Sequence, residues 1–252
     1  MEKDLEIFKN YVFNKYDTTN KLIMEKYDHS IRVAMLMIDL GLRLNLSDED
    51  IRLAFQIGLF HDLGRFREVE RSNKFNNLTF DHAACSDKIL FNDHLIDEFE
   101  VSEEDYLTIK KAVYFHNKKD INLPLTEREA LFTKMIRDMD KLDIITVMVP
   151  KNVLSFTEHH TPQVLTDYFN GAKIDLRNIK NGTDRFILYL SFIRDLYFEE
   201  SKEMAMERRD LNKLVNGVSV SIENEELFHH VVDTVYHPSK DFILRKTKSI
   251  NK

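Results

Sequence analysis

The sequence predicts an all-α protein, and three observations carry that expectation. Only 6 glycines and 4 prolines occur in 252 residues, so the residues that punctuate turns and sheets are scarce. Long stretches are rich in Leu, Glu, Lys, Met and Ile, a composition that favours helix. Apolar residues also recur at the three- and four-residue spacing of a helix face. Hydrophobic residues make up 43% of the chain, enough for a core and above the range of disordered chains.

The elements follow in order. A first helix is expected over roughly 3–16. A long second one, roughly 19–44, carries Ile23, Met24, Tyr27, Ile31, Met35 and Ile38. Ser47-Asp48-Glu49-Asp50 resembles a capping box with Asp in the last position, and it opens a third helix with Ile51, Ala54, Phe55, Gly58 and Leu59 on one face. Gly64 offers a stop, and the polar, Asn-rich stretch 66–78 reads as a loop. Further helices are expected over about 80–92, from Ser102 with Asp105 in the fourth position, and from Thr126 with Glu129 there. Pro150 marks a boundary, so a domain of residues 1–150 is expected, then a helical region over 151–240 and a basic tail over 241–252. The helices of that region are placed at about 162–170, 184–206 and 222–236, with the aromatic run Phe186–Phe198 as a core stripe.

Composition also limits the function classes. The single cysteine, Cys85, excludes an internal disulfide and suits the cytoplasm. Met1-Glu2-Lys3-Asp4 lacks the apolar run of a secretory signal, and no stretch approaches the ~18–20 apolar residues of a membrane span. A formal charge of −7 argues against a non-specific nucleic-acid coat, which needs a basic surface. It leaves a small phosphorylated partner open, because that binding depends on local charge.

Chemistry is concentrated in an ordered set: His29, His61-Asp62, His82, His116 and Asp140. A lone His-Asp pair carries no information; the context does. His29 lies between Tyr27 and Ile31, and His61-Asp62 closes the third helix after Gly58-Leu59-Phe60. His116 follows Ile109, Ala112 and Val113 at helical spacing, and Asp140 stands four residues from both Ile136 and Ile144. An ionised carboxylate on an apolar face is costly unless it is paired or coordinates a metal. Several imidazoles and two carboxylates converging from different helices suit a divalent transition metal. His61 and Asp62 point ~100° apart on a regular helix, but at a helix end both can reach one ion, or Asp62 can bridge two.

The order His, His-Asp, Asp resembles that of the HD phosphohydrolase superfamily. So do the segments Phe60-His61-Asp62-Leu63-Gly64-Arg65-Phe66, Asp81-His82-Ala83 and Arg137-Asp138-Met139-Asp140-Lys141-Leu142-Asp143. The resemblance covers about residues 20–147. It implies a helical bundle with a C-terminal extension and a central metal held by His29, His61, Asp62 and Asp140. Asp138 and Asp143 are rival carboxylates, but the position immediately before Lys favours Asp140. Binuclear members place two further histidines between the pair and the final Asp, an order that His82 and His116 match. In that case Asp62 bridges two ions. Members that cleave cyclic dinucleotides carry paired histidines followed by Gly-Tyr-Pro near this point. Here Asn117-Lys118-Lys119 follows His116, which argues against that substrate.

The expected cofactor is one or two divalent ions of manganese, iron, nickel, cobalt or zinc, with magnesium a further candidate. The expected activity is hydrolysis of a phosphoester or phosphoanhydride, in a nucleotide or related metabolite, by a water that the metal activates. Basic side chains must neutralise the rest of the phosphate charge. Arg65, Arg67, Arg71 and Lys74 cluster just after the His-Asp pair, and Lys141 adjoins Asp140; Arg65 and Lys141 are the candidates for a catalytic contact. Two rival readings are a di-iron oxygenase on the same scaffold and a non-catalytic module that senses a nucleotide or metal. His94, His159-His160, His229-His230 and His237 lack matching context and read as surface or capping histidines.

Overall fold

The computed structural model describes residues 1–75, 79–148 and 160–208. Among them the regular elements are all helical, with no strand, as composition and periodicity led us to expect. The chain divides into two compact units after Asp140. Pro150, where the sequence places its boundary, lies outside the described residues. So do His159, His229-His230, His237, the expected helix at 222–236 and the basic tail.

In the first unit α1 (Glu2–Lys15), α2 (Lys21–Arg43) and α3 (Asp48–Phe60) lead into α4 (Leu63–Ser72) and α5 (His82–Asp87). A π turn (Lys88–Asn92) and two short 3-10 turns follow, then α6 (Tyr106–Phe115) and α7 (Glu127–Met148), which crosses into the second unit. The start signals operate as expected. The Ser47 hydroxyl accepts the Asp50 N–H at 3.2 Å. Thr126 and Glu129 cap each other, the Thr126 N–H donating to the Glu129 carboxylate at 2.8 Å and the Glu129 N–H to the Thr126 hydroxyl at 3.2 Å.

Two glycines set how closely the helices approach. A Cβ added at Gly58 would lie 2.5 Å from the Ala34 Cα, so only a bare backbone lets α3 close on α2. At Gly64 it would lie 2.1 Å from the His82 carbonyl oxygen. Ser86 fastens the same junction: its hydroxyl accepts the Gly64 N–H at 2.8 Å and lies 2.8 and 3.0 Å from the carbonyls of His61 and His82.

Of the loop expected over 66–78, residues 66–72 are helix instead, because α4 runs to Ser72, and 76–78 lie outside the described residues. Leu63, Phe66 and Val69 recur every three residues and are buried, a short apolar stripe diluted by charged neighbours. Gly64 is therefore not a stop. The helix ends at Asn73, in left-handed conformation at φ 50°, where a short polar side chain tolerates the strain.

The second unit contains the rest of α7, then α8 (Pro162–Phe169), α9 (Gly182–Arg194) and α10 (Glu199–Glu207). The single helix expected over 184–206 is thus two. Phe198 takes an extended conformation between them, and Leu196 turns inward while Tyr197 stays exposed. Phe186 and Tyr189 form the buried part of the aromatic stripe. No helix among the described residues is long and apolar enough to cross a membrane.

Candidate metal centre

The first unit gathers its chemistry where α3 breaks into α4. His61 follows the last residue of α3, and Asp62 occupies the N-cap position of α4 without making a side-chain cap. That break frees both neighbours from the angular spacing of a continuous helix. The Asp62 carboxylate turns instead towards imidazoles from α2, α5 and the end of α6.

The contacts form two triads. His29 Nε2, His61 Nε2 and Asp140 Oδ1 make a triangle with sides of 3.2, 3.2 and 3.7 Å. Asp62 Oδ1, His82 Nε2 and His116 Nε2 make a second with sides of 3.4, 3.1 and 3.6 Å. Asp62 Oδ2 faces the first triad, 3.5 Å from His29 Nε2 and 3.7 Å from His61 Nε2. One carboxylate therefore divides its two oxygens between two sets of donors.

Tautomers are fixed from behind. His61 Nδ1 lies 2.7 Å from the Gly58 carbonyl and His116 Nδ1 lies 2.7 Å from the Val113 carbonyl. A carbonyl can only accept, so each Nδ1 carries the proton and each Nε2 presents a lone pair, the arrangement of a ligating histidine. Burial pushes His61 below the ordinary imidazole range and His82 down to about 2, which favours the neutral form a metal requires. Burial works to raise Asp62, yet its surroundings, the Lys26 ammonium first among them, hold it well below the usual carboxylate range. Asp140 is likewise held low against burial, first by its hydrogen bond with His29.

These donors fit divalent ions. Lone-pair nitrogens at 3.1–3.2 Å repel unless a proton or a cation lies between them. The triangle edges are those expected of donors each ~2.0–2.2 Å from one ion. Within each triad all ligand atoms lie within 4.8 Å of one another.

The six residues of the ordered set are thus brought together, and the basic residues are dispersed. Arg65 is buried, 2.6 Å from Glu68 and 3.8 Å from Asp62 Oδ1. Arg67 pairs with Asp93, and Arg71 and Lys74 are exposed. Lys141 belongs to the second unit, where its ammonium donates to the Asp195 carbonyl at 3.0 Å and lies over the Tyr197 ring. Asp138 and Asp143 are fully buried, but neither joins a triad among the described residues. His94 is exposed and pairs with Asp97, in keeping with a surface histidine.

Sequence reasoning missed Lys26. Its ammonium lies 2.7 Å from Asp62 Oδ2, with 14% of the side chain exposed. Lys26 and Arg65 both lie over the Phe75 ring, at 5.3 and 5.6 Å. The signal was present: Lys26 stands three residues before His29, hence on the same face of α2.

No curated protein and no solved structure matches the chain significantly. The family model that matches is that of the HD domain, over residues 27–145, a span that contains both triads. By that match residues 27–145, just under half of the chain, are an HD domain.

Proposed function

We propose that the chain is a metal-dependent phosphohydrolase that cleaves a phosphoester or phosphoanhydride of a nucleotide or related small metabolite, with residues 1–150 as its catalytic domain. An HD domain supports metal-dependent hydrolase chemistry in general. The finer reading rests on the division of Asp62 between the two triads. In this reading His29, His61, Asp140 and Asp62 Oδ2 hold one ion, while Asp62 Oδ1, His82 and His116 hold the second. Two such ions, when bound, lower the pKa of water and stabilise charge on phosphoryl oxygens.

The chain's own residues supply the rest. Carbonyl-anchored imidazoles keep their lone pairs aimed without reorganisation, and Asp62 fixes the spacing of the two subsites. Lys26 and Arg65 stand beside Asp62 and Glu68, and bound ions would add the positive charge that an anionic substrate needs. Lys26 then joins Arg65 as the contact for phosphate oxygens. Lys141 and Arg67, engaged with Asp195 and Asp93, are weaker candidates for that role. A chain with one half-buried thiol, Cys85, suits the cytoplasm.

The test is metal analysis of anaerobically purified protein, then a screen of nucleotides and phosphoesters without oxygen. Release of phosphate or pyrophosphate that depends on added manganese, iron, nickel, cobalt or zinc supports the proposal. Six donors sharing one carboxylate also suit a di-iron oxygenase, so oxygen consumption with a mixed-valent iron signal and no phosphate release overturns it. Tight nucleotide binding without product under every metal returns the sensing reading.

A further inference from the structure

The turn after α6 is held from two sides. Its side chains reach the start of α5: His116 Nε2 lies 3.1 Å from His82 Nε2, the Asn117 amide nitrogen lies 3.0 and 3.2 Å from the two His82 ring nitrogens, and Lys118 pairs with Asp81. Its carbonyls turn the other way. Arg137 Nη1, from α7, donates to the carbonyls of Phe115, His116 (3.3 Å) and Lys118 (2.7 Å). Arg137 is only 6% exposed, so its guanidinium meets these carbonyls away from bulk water.

The carbonyls at a helix end have no partner within the helix. A buried guanidinium there supplies charge-assisted donors and complements the negative end of the helix dipole. All three bonds come from Nη1, which the rigid guanidinium plane holds in one place. Arg137 also lies three residues before Asp140 on α7. One helix therefore carries a donor of the first triad and fixes the backbone that bears a donor of the second.

We infer that Arg137 is the positioning residue of the second metal subsite: by clamping the carbonyls of Phe115, His116 and Lys118 it sets His116 and Asn117 against His82. It contributes no donor atom to either triad and acts through the backbone alone. The inference rests on the two-ion reading of the site, and the experiment separates the two.

Metal-free wild type, Arg137→Ala, Arg137→Lys and His116→Ala are each titrated with Co(II), following stoichiometry by equilibrium dialysis and coordination by the visible spectrum, well below each melting temperature. Wild type is expected to bind two ions. Arg137→Ala should keep the first ion at near wild-type affinity and bind the second about 10–100-fold more weakly, the effect typical of residues that orient ligands. His116→Ala should lose the second ion outright, and Arg137→Lys should recover part of the alanine loss. Two ions bound by Arg137→Ala with wild-type affinities overturn the inference, as does equal weakening of both. Should Arg137→Ala not fold, Arg137→Lys decides: selective weakening of the second ion supports the inference, and wild-type binding of both overturns it. Fewer than two ions on wild type overturns the two-ion reading itself.

Discussion

Asp62 in the first unit and Asp184 in the second are both buried carboxylates held below the ordinary acidity range. Their surroundings differ in kind. Asp184 accepts the N–H groups of Thr161 (2.6 Å) and Lys180 (2.8 Å) and the Thr161 hydroxyl (2.7 Å), all donors whose protons are permanent. Those bonds close the start of α9. Asp62 faces four imidazole nitrogens and an ammonium, two of those imidazoles fixed with a lone pair turned towards it. Burial of a charge therefore does not mark function; the identity of the groups that satisfy it does. Fixed donors make a structural carboxylate, and facing acceptors make one that wants a cation.

The largest expected effect tests that contrast directly. Asp62→Ala should abolish turnover and binding at both ion sites while the helical circular dichroism signal stays largely intact, as should His61→Ala for the first site. Asp184→Asn should leave metal content and turnover unchanged and lower stability by about 1–3 kcal/mol, the cost of mispairing a buried acceptor. Metal binding by Asp62→Ala at wild-type affinity would break the contrast.

A second comparison sets two glycines against each other. Gly64→Ala drives a Cβ to 2.1 Å from the His82 carbonyl, so α5 must move, at about 1–3 kcal/mol, and the ion site served by His82 should weaken with it. Gly171 has φ +69° but open space around it, so Gly171→Ala should cost only ~1–2 kcal/mol of backbone strain and leave metal binding untouched. Chemical denaturation and metal titration of both variants check this.

The smallest effect is on pH dependence. Burial works to raise Asp184, but its hydrogen bonds win and its folded pKa falls below the unfolded value of ~3.9. Its contribution to stability is thus complete above that unfolded value and disappears as pH falls through the lower folded one. The stability gap between wild type and Asp184→Asn should be constant above about pH 5 and shrink below about pH 4. Urea unfolding of metal-free protein across that range measures it; a gap that widens in acid contradicts the sign.

Much of this was legible before any coordinates. The donors lie in short segments with strong local context, so their order survived the distances between them. Helix starts at Ser47 and Thr126 were equally plain, because a capping box is local. Other features depend on partners far along the chain. α4 hid because Leu63, Phe66 and Val69 are outnumbered by charges, several of them solvated. Gly58 and Gly64 act through close contact with Ala34 and His82, which no local pattern encodes. Arg137 binds backbone carbonyls some twenty residues away, and carbonyls have no signature in a sequence. Lys26 was readable, one turn before His29, but an isolated lysine on a long helix draws no notice.

The most direct test of the account is anomalous scattering from crystals equilibrated with Mn(II). The account predicts two peaks ~3.5–4 Å apart, the spacing of two-metal hydrolytic sites. One should contact His29, His61 and Asp140, the other His82 and His116, with one Asp62 oxygen on each. Saturating manganese that produces no peak beside Asp62, or a single peak touching only one triad, would contradict it.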